Sequence, residues 1–231
     1  MNEKWHLWRD GERPPTLNMA VDELLLEESG LLKGRILLRI YGWDRPSISI
    51  GYTQKYGAVA KECGYSIVRR PTGGGIVYHD RDLTYTVVVP AAHSLESLDR
   101  VESYHVFHRA VLRAMSAFGK RGHLADSAVS VSDRATMKCF VTPTKYDVIC
   151  ENRKMAGAAQ RRTRKGILHQ GSISLEVSGG DRDKLSEELI KGFAEEFKVK
   201  FEDFNVPDAF VSEAGKLSSA KFATDEWNKA K

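Results

Sequence analysis

Three features of this sequence could do chemistry. The first is "RRPTGGGIVYHD", Arg69 to Asp80, which sets Gly73, Gly74 and Gly75 between two arginines and a histidine. Glycine weakens a strand and costs conformational entropy on folding, so a triple needs a reason. A glycine turn entering a strand presents backbone N–H groups with no side chains in the way. Such groups can donate to a phosphate, a carboxylate or a carbonyl oxygen, and Arg69 and Arg70 could add charge-assisted bonds. No Gly-Lys-Ser or Gly-Lys-Thr follows, which excludes a P-loop, and the Rossmann spacing is absent. The plain alternative is a hairpin corner. The second feature is Lys154 in "NRKMAGAAQ". A lone lysine on a strand is usually a solvated charge. Here Ala156, Gly157, Ala158 and Ala159 leave space for a ligand, and a partly desolvated ammonium beside a carbonyl can polarise it or stabilise an oxyanion. The third is the cysteines. Cys63, Cys139 and Cys150 are too few and too scattered for a disulfide framework and lack metal-ligand spacing. Each is a buried small hydrophobe or a reactive thiol. Cys150 shares a strand face with Val148 and reads as a packed core thiol. Cys63, beside Gly64 at the end of a short helix, reads as structural.

The elements that must hold these groups follow from periodicity. "KWHLW" is a short strand. "TLNMAVDELLLEESG" predicts a helix with Thr16 or Asn18 as N-cap and Gly30 as its close. "RILLRIYGW" and "SISIGY" are strands separated by Pro46, and "GAVAKECG" is a short helix. "SIVRRPTGGGIVYH" reads as strand, glycine turn, strand. "LTYTVVVP" alternates and then runs apolar, as a strand buried on both faces does. In "ESYHVFHRAVLRAMSAFG", Val106, Phe107, Ala110, Val111, Ala114 and Met115 form one helix face, ended by Gly119. "YDVICENRKMAG" is a strand, a turn at Glu151–Asn152 and a return; "GILHQGSISLEV" is another strand. "DRDKLSEELIKGFAEEFKV" is an amphipathic helix, and the tail bearing Trp227 is helical. There is no repeat and no regular βαβ alternation, which favours an α+β or mixed-sheet domain.

Bulk composition is that of an ordinary globular chain: 231 residues, 42% hydrophobic, 29% charged, formal net charge +4. The mild basic excess favours an acidic partner but is not the footprint of a nucleic-acid binder. No segment approaches the ~20 apolar residues of a membrane helix, and the amino terminus has no signal-peptide run, so a cytoplasmic protein with no membrane partner is expected.

"RRPTGGGIVYHDRDLTYTVVV" resembles the arginine-rich, triple-glycine, His-Asp signature of the lipoate–protein ligase and octanoyltransferase family. Further blocks follow in the family's order. "LNMAVDELLL" resembles its first helix, "YGWDRPSISIGYTQ" its tryptophan-proline-glycine-glutamine strand pair, "YDVICENRKMAGAAQRR" its lysine motif and "GILHQGSISL" the strand after it. The resemblance spans roughly Leu17 to Leu175. It implies an α+β fold with a mixed, largely antiparallel sheet flanked by helices, like the biotin/lipoate protein ligase catalytic domain. The whole chain, 1–231, is expected to be one such domain with no large C-terminal accessory domain. In two places the sequence departs from the family: His169–Gln170–Gly171 stands where Gln-His-Gly is common, and Asn152 where glycine is common.

The resemblance also assigns roles. The triple glycine, with Gly157 and Ala158, would face the acyl chain and activated carboxyl, and Lys154 sits where the family places its essential lysine. Cys139, in "MKCFVTPTKYDV", matches the Cys-Phe pair of one octanoyltransferase branch, in which the thiolate takes the acyl group from a carrier thioester; a buried structural thiol is the alternative. A nearby cation would lower the thiol pKa and favour that thiolate. The implied reaction moves octanoate, or lipoate, from acyl carrier protein through Cys139 to a lysine of a lipoyl domain. The acceptor would be a 2-oxoacid dehydrogenase lipoyl domain or the glycine-cleavage carrier protein. Lys154 would hold the acyl carbonyl, with Arg70 and the amides around Gly74 and Gly75 lining the pocket. His79 could move a proton or equally be a satisfied structural histidine. This reaction needs no cofactor. The alternative is a ligase acting through lipoyl-AMP, which needs ATP and magnesium. The basic run "QRRTRK", Gln160–Lys165, could dock an acidic partner or a phosphate, or be a solvated turn.

Overall fold

The longest apolar run, "LTYTVVVP", becomes a strand in which every residue is buried. The structure, a computed structural model, describes residues 3–127 and 144–231. In chain order its elements are β1 (Lys4–Arg13), α1 (Pro15–Glu27), β2 (Leu37–Trp43), β3 (Ser47–Ile50), β4 (Ser66–Arg69), β5 (Val77–His79), β6 (Asp82–Pro90) and α2 (Arg100–Ser116). Then come β7 (Gly122–Leu124), β8 (Val148–Cys150), β9 (Arg153–Thr163), β10 (Gly166–Ser174), α3 (Arg182–Phe197), β11 (Lys200–Asp203), α4 (Asp208–Leu217) and α5 (Asp225–Asn228). The main sheet runs β11-β1-β2-β6-β10-β9-β8-β7, and a small second sheet runs β4-β3-β5. In the main sheet β1 is parallel to β11 and β2, and all other pairs are antiparallel. This is the expected α+β architecture.

Strand β6 explains why helices cover both faces. Its Leu83, Tyr85, Val87 and Val89 enter one core with Phe107 and Val111 of α2 and Leu189 and Phe193 of α3. Its Val88 faces the other way, into a second core with Leu25 of α1, Phe210 of α4 and Leu168 of β10. Period-two alternation on a strand apolar at nearly every position demands a cover on each side.

Several local expectations are corrected. Neither Thr16 nor Asn18 caps α1. Pro14 is the N-cap residue, with no side-chain cap bond, and Pro15 opens the helix, where a fixed φ and a missing N–H cost nothing. Gly30 lies inside a 3-10 turn, Ser29–Leu32, after α1 has ended. "GAVAKECG" yields only a 3-10 turn at Tyr56–Ala58, too short a segment to sustain a helix, and Cys63 is exposed rather than packed. The glycine segment is no hairpin corner, because β3 lies between β4 and β5.

Two buried arginines tie these parts together. Arg39 on β2 is fully buried and donates to both Asp10 and Asp22, each at 2.6 Å at the shortest. It also donates to the Asn18 side chain at 2.8 Å. Burial opposes its charge, but Asp22 and Asp10 outweigh it and raise the guanidinium pKa. Asp22 accepts in turn from Tyr41, Thr86 and Gln170, at 2.9, 2.8 and 2.7 Å. Arg69 is spent on backbone carbonyls: Gly51, Tyr52 and Gln54 on one side, Trp227 and Asn228 on the other. It therefore pins the chain's last helical turn to the loop after β3 and is not available to a ligand.

Replacing Arg39 by Met would leave the buried Asp22 carboxylate without its cation and Asp10 with Arg13 alone. Urea unfolding of Arg39→Met should show a loss of about 3–5 kcal/mol; a loss no larger than that of an ordinary surface change would refute the central role given to this ion pair.

Candidate active site

The glycine segment is shaped by its own arginine. The Arg70 guanidinium donates to the carbonyls of Gly73 (2.7 Å), Gly75 (2.6 Å) and Ser49 (2.9 Å). The loop thus wraps around the cation of the residue that begins it. Gly74 takes φ +84°, a left-handed conformation that disfavours any side chain. The approach of the loop to β3 is also close: a Cβ on Gly51 would fall 2.2 Å from the Gly74 carbonyl oxygen.

Between the two sheets this loop closes a narrow cavity. Helix α1 contributes Met19, and β2 contributes Tyr41 and Trp43. The loop and small sheet add Arg70, Gly74, Gly75, Ser49, Val77 and His79. Strands β6, β9 and β10 add Thr84, Gly157–Ala159 and Gln170–Ser172. The walls are mainly aromatic, aliphatic or glycine. Gly73 faces instead a neighbouring cleft bordered by Tyr52, Pro71 and Trp227.

His79 lies flat on Trp43, with ring centroids 3.9 Å apart. Its Nδ1 is 2.8 Å from Asp82 and its Nε2 is 2.8 Å from the Ser49 hydroxyl. Burial would push the Asp82 carboxyl up, but His79, Ser172 and Thr84 outweigh this and hold it below the usual carboxylate range. An ionised Asp82 accepts from the Nδ1–H, and Nε2 lies within hydrogen-bond distance of the Ser49 hydroxyl. Both nitrogens are satisfied, and the ring forms part of the cavity wall.

Lys154 owes its direction to a bulge. Ile149 opposes Lys154 while Val148 opposes Ala156, so Met155 is extra on β9. One extra residue inverts the alternation, and the Lys154 side chain lies over Gly157 three positions on. A Cβ at Gly157 would stand 2.6 Å from Lys154 Cε and 2.8 Å from Nζ. The small residue after the lysine therefore makes room for the lysine itself. Nζ is 2.7 Å from Asp147 Oδ2, and both side chains are buried, 3% and 2% exposed. Thr144 donates its N–H (2.5 Å) and its hydroxyl (2.9 Å) to the same carboxylate oxygen. The result is a buried, oriented ammonium packed against Gly157, a residue of the cavity lining.

Among the residues picked from sequence, the structure brings Arg70, Gly74, Gly75, His79, Gly157 and Ala158 around one cavity and sets Lys154 against Gly157. Cys139 lies outside the described residues. Cys150 is buried, as expected, with its thiol 3.7 Å from the Met115 sulfur, and burial raises its pKa. Sequence reading missed Asp147, Ser49, Asp82 and Gln170. Gln170 had a signal: it alternates with Leu168 on one strand face, so a polar group was due on a buried wall. There it joins Thr72 of the loop (2.6 Å) to Asp22, while His169 points to the opposite face, against Phe107. The basic run is partly internal, since Arg161 pairs with Glu23 and Arg162 bonds Ser103. Among the described residues no helix is long and apolar enough to cross a membrane.

Comparisons with known proteins agree with this geometry. The model of the "Lipoyl protein ligase A/B catalytic domain" matches residues 14–211. Octanoyltransferase LipM of Halalkalibacterium halodurans is 31% identical over 280 aligned positions, covering 98% of this chain and 99% of the relative. Octanoyltransferase LipM of Staphylococcus aureus is 33% identical over 226 positions, covering 93% and 78%. Among solved structures, a T. acidophilum protein with bound lipoic acid superposes over all of both chains with a TM-score of 0.80 at 24% identity. A lipoate-protein ligase A bound with ATP gives 0.80 at 23% identity over 98% of each chain. Those two likenesses carry the fold; the family model and the full-length relatives carry the lineage, and the chain belongs to the lipoyl protein ligase A/B catalytic domain family.

Proposed function

We propose that this chain is an octanoyltransferase of protein lipoylation, acting through a thioester on Cys139. The observation that carries the reading is the buried Lys154–Asp147 pair seated against Gly157, which itself lines a mainly apolar cavity. Near full-length similarity to octanoyltransferases named LipM supports it.

In the first step the Cys139 thiolate attacks the carbonyl of an octanoyl thioester on acyl carrier protein. A C–S bond to Cys139 forms, the oxyanion collapses, the C–S bond to the carrier breaks, and the carrier leaves as a thiolate that takes a proton from solvent. Thioester exchange is nearly isoenergetic, so the octanoyl group stays activated. In the second step the neutral ε-amine of a lipoyl-domain lysine attacks the acyl-enzyme. The C–N bond forms, the Cys139 thiolate departs, and the surplus amine proton passes to solvent. Lys154 donates to the carbonyl oxygen as charge develops there. Asp147 holds it in line, which makes the ammonium a fixed donor. The cavity takes the alkyl chain, and the acceptor is a lipoyl domain of a 2-oxoacid dehydrogenase or of the glycine-cleavage carrier, in the cytoplasm.

Incubation with octanoyl-acyl carrier protein should add one octanoyl mass to the intact protein, and Cys139→Ala should abolish both that adduct and transfer to a lipoyl domain. If Cys139→Ala kept full activity, and lipoate with ATP and magnesium served as donor instead, the lipoyl-AMP reading would replace this one.

Gly157→Ala should displace the flexible end of Lys154 while leaving the sheet intact. The expected outcome is a fall in kcat of about 10²-fold, the scale of losing one oxyanion donor, with little change in Tm. Steady-state kinetics beside thermal unfolding would check this, and an unaltered kcat would contradict the role given to Lys154.

A further inference from the structure

Helix α2 addresses the short segment that carries Asp147. His105 stacks on the Tyr146 ring at 4.6 Å. One turn on, His108 is fully buried, and its Nδ1–H donates to the Tyr146 carbonyl oxygen at 2.6 Å. Tyr146 has φ +69°, a left-handed conformation that costs a non-glycine residue about 1–2 kcal/mol and persists only when its surroundings impose it. The peptide joining Tyr146 to Asp147 is held at both ends. Its carbonyl accepts from His108, and its N–H donates to the Thr144 carbonyl at 3.0 Å. Rotation of that peptide would swing the Asp147 side chain away from Lys154.

We propose that His108 is a positioning residue: it locks the Tyr146–Asp147 peptide and thereby aims the Asp147 carboxylate at the Lys154 ammonium. The inference rests on the proposed function for the consequence in turnover, but not for the geometry. The surroundings of His108 argue that its donor is the reason for a histidine here. Its helix neighbours Phe107 and Val111 are core residues, and an apolar side chain would suit that setting. The other ring nitrogen, Nε2, is buried with no partner among the described residues, a cost that an apolar residue avoids. Burial holds the imidazole pKa below its ordinary value, against the opposing pull of Asp147. The ring is then neutral, with its one proton on Nδ1.

Three variants separate the donor from mere bulk. His108→Leu removes both nitrogens. His108→Gln places an amide near Nε2, which leaves the Tyr146 carbonyl unbonded. His108→Asn places an amide N–H near Nδ1 and restores the bond. The first readout is the Lys154 ammonium signal in a heteronuclear NMR spectrum of ¹⁵N-lysine-labelled protein, assigned by its absence in Lys154→Arg. The second is kcat and KM for octanoyl transfer to a lipoyl domain. Leu and Gln variants should shift or broaden the Lys154 signal. They should lower kcat by about 10- to 100-fold, the scale of an ångström-size misplacement, with KM for the lipoyl domain nearly unchanged. Asn should recover signal and kcat together. Retention of signal and kcat in folded His108→Gln would overturn the proposal, as would failure of folded His108→Asn to recover the signal. A wild-type protein that transfers no octanoyl group would refute the proposed function, and the ammonium signal would still decide the role of His108.

Discussion

The constraint on which the rest depends is a cation taken fully out of water. Arg39 sits between Asp10 and Asp22 with no exposed surface. A guanidinium in that position is tolerable only if its donors are matched by well-placed acceptors. Matching them fixes the end of β1, the face of α1 and the middle of β2 relative to one another. Asp22 then passes the constraint outward through Gln170 of β10 to Thr72 of the glycine loop. A loop of three glycines has little stiffness of its own. Here its start is tied through two side chains to the centre of the main sheet, and its bend is wrapped around Arg70.

A similar logic operates at Lys154. An ammonium on a strand would ordinarily reach for solvent. The extra residue at Met155 turns it along the sheet, Gly157 gives it room to lie down, and Asp147 supplies the counter-charge. The first two are backbone and packing features, and the third is an ion pair. Together they hold in one direction, beside its counter-ion, a charge that would otherwise reach for solvent; that is the preorganised donor the proposed reaction uses. Both arginines of the Arg69–Arg70 pair are used in the same spirit. They satisfy backbone carbonyls and hold the cavity's shape, and neither is spent on bare charge.

Much of the fold was legible in residue order. Period-two runs gave the strands, the apolar stripe of "HVFHRAVLRAM" gave α2, and the run of valines in β6 announced covers on both faces. Glu151–Asn152 turned as read, with both residues at positive φ. Helix ends and short segments were less legible. Pro14 and Pro15 took over the start of α1 because the Asn18 side chain was needed by Arg39 and the Gly42 carbonyl. The fate of a capping residue is decided by long-range partners that local pattern does not carry. The residues around the glycine turn and the lysine were found from sequence because glycine and small-residue runs are local signatures of close approach.

By itself, the sequence determined the longer elements and the fold class and singled out the groups proposed to do chemistry, since periodicity and glycine placement act over a few residues. Only tertiary structure decided which groups meet. That Asp147 pairs with Lys154, that Gln170 faces the cavity while His169 faces α2, and that Arg69 serves the backbone all depend on register, on one bulge and on contacts between residues far apart in the chain. A one-residue shift in any of these strands would send the same side chains to the opposite face.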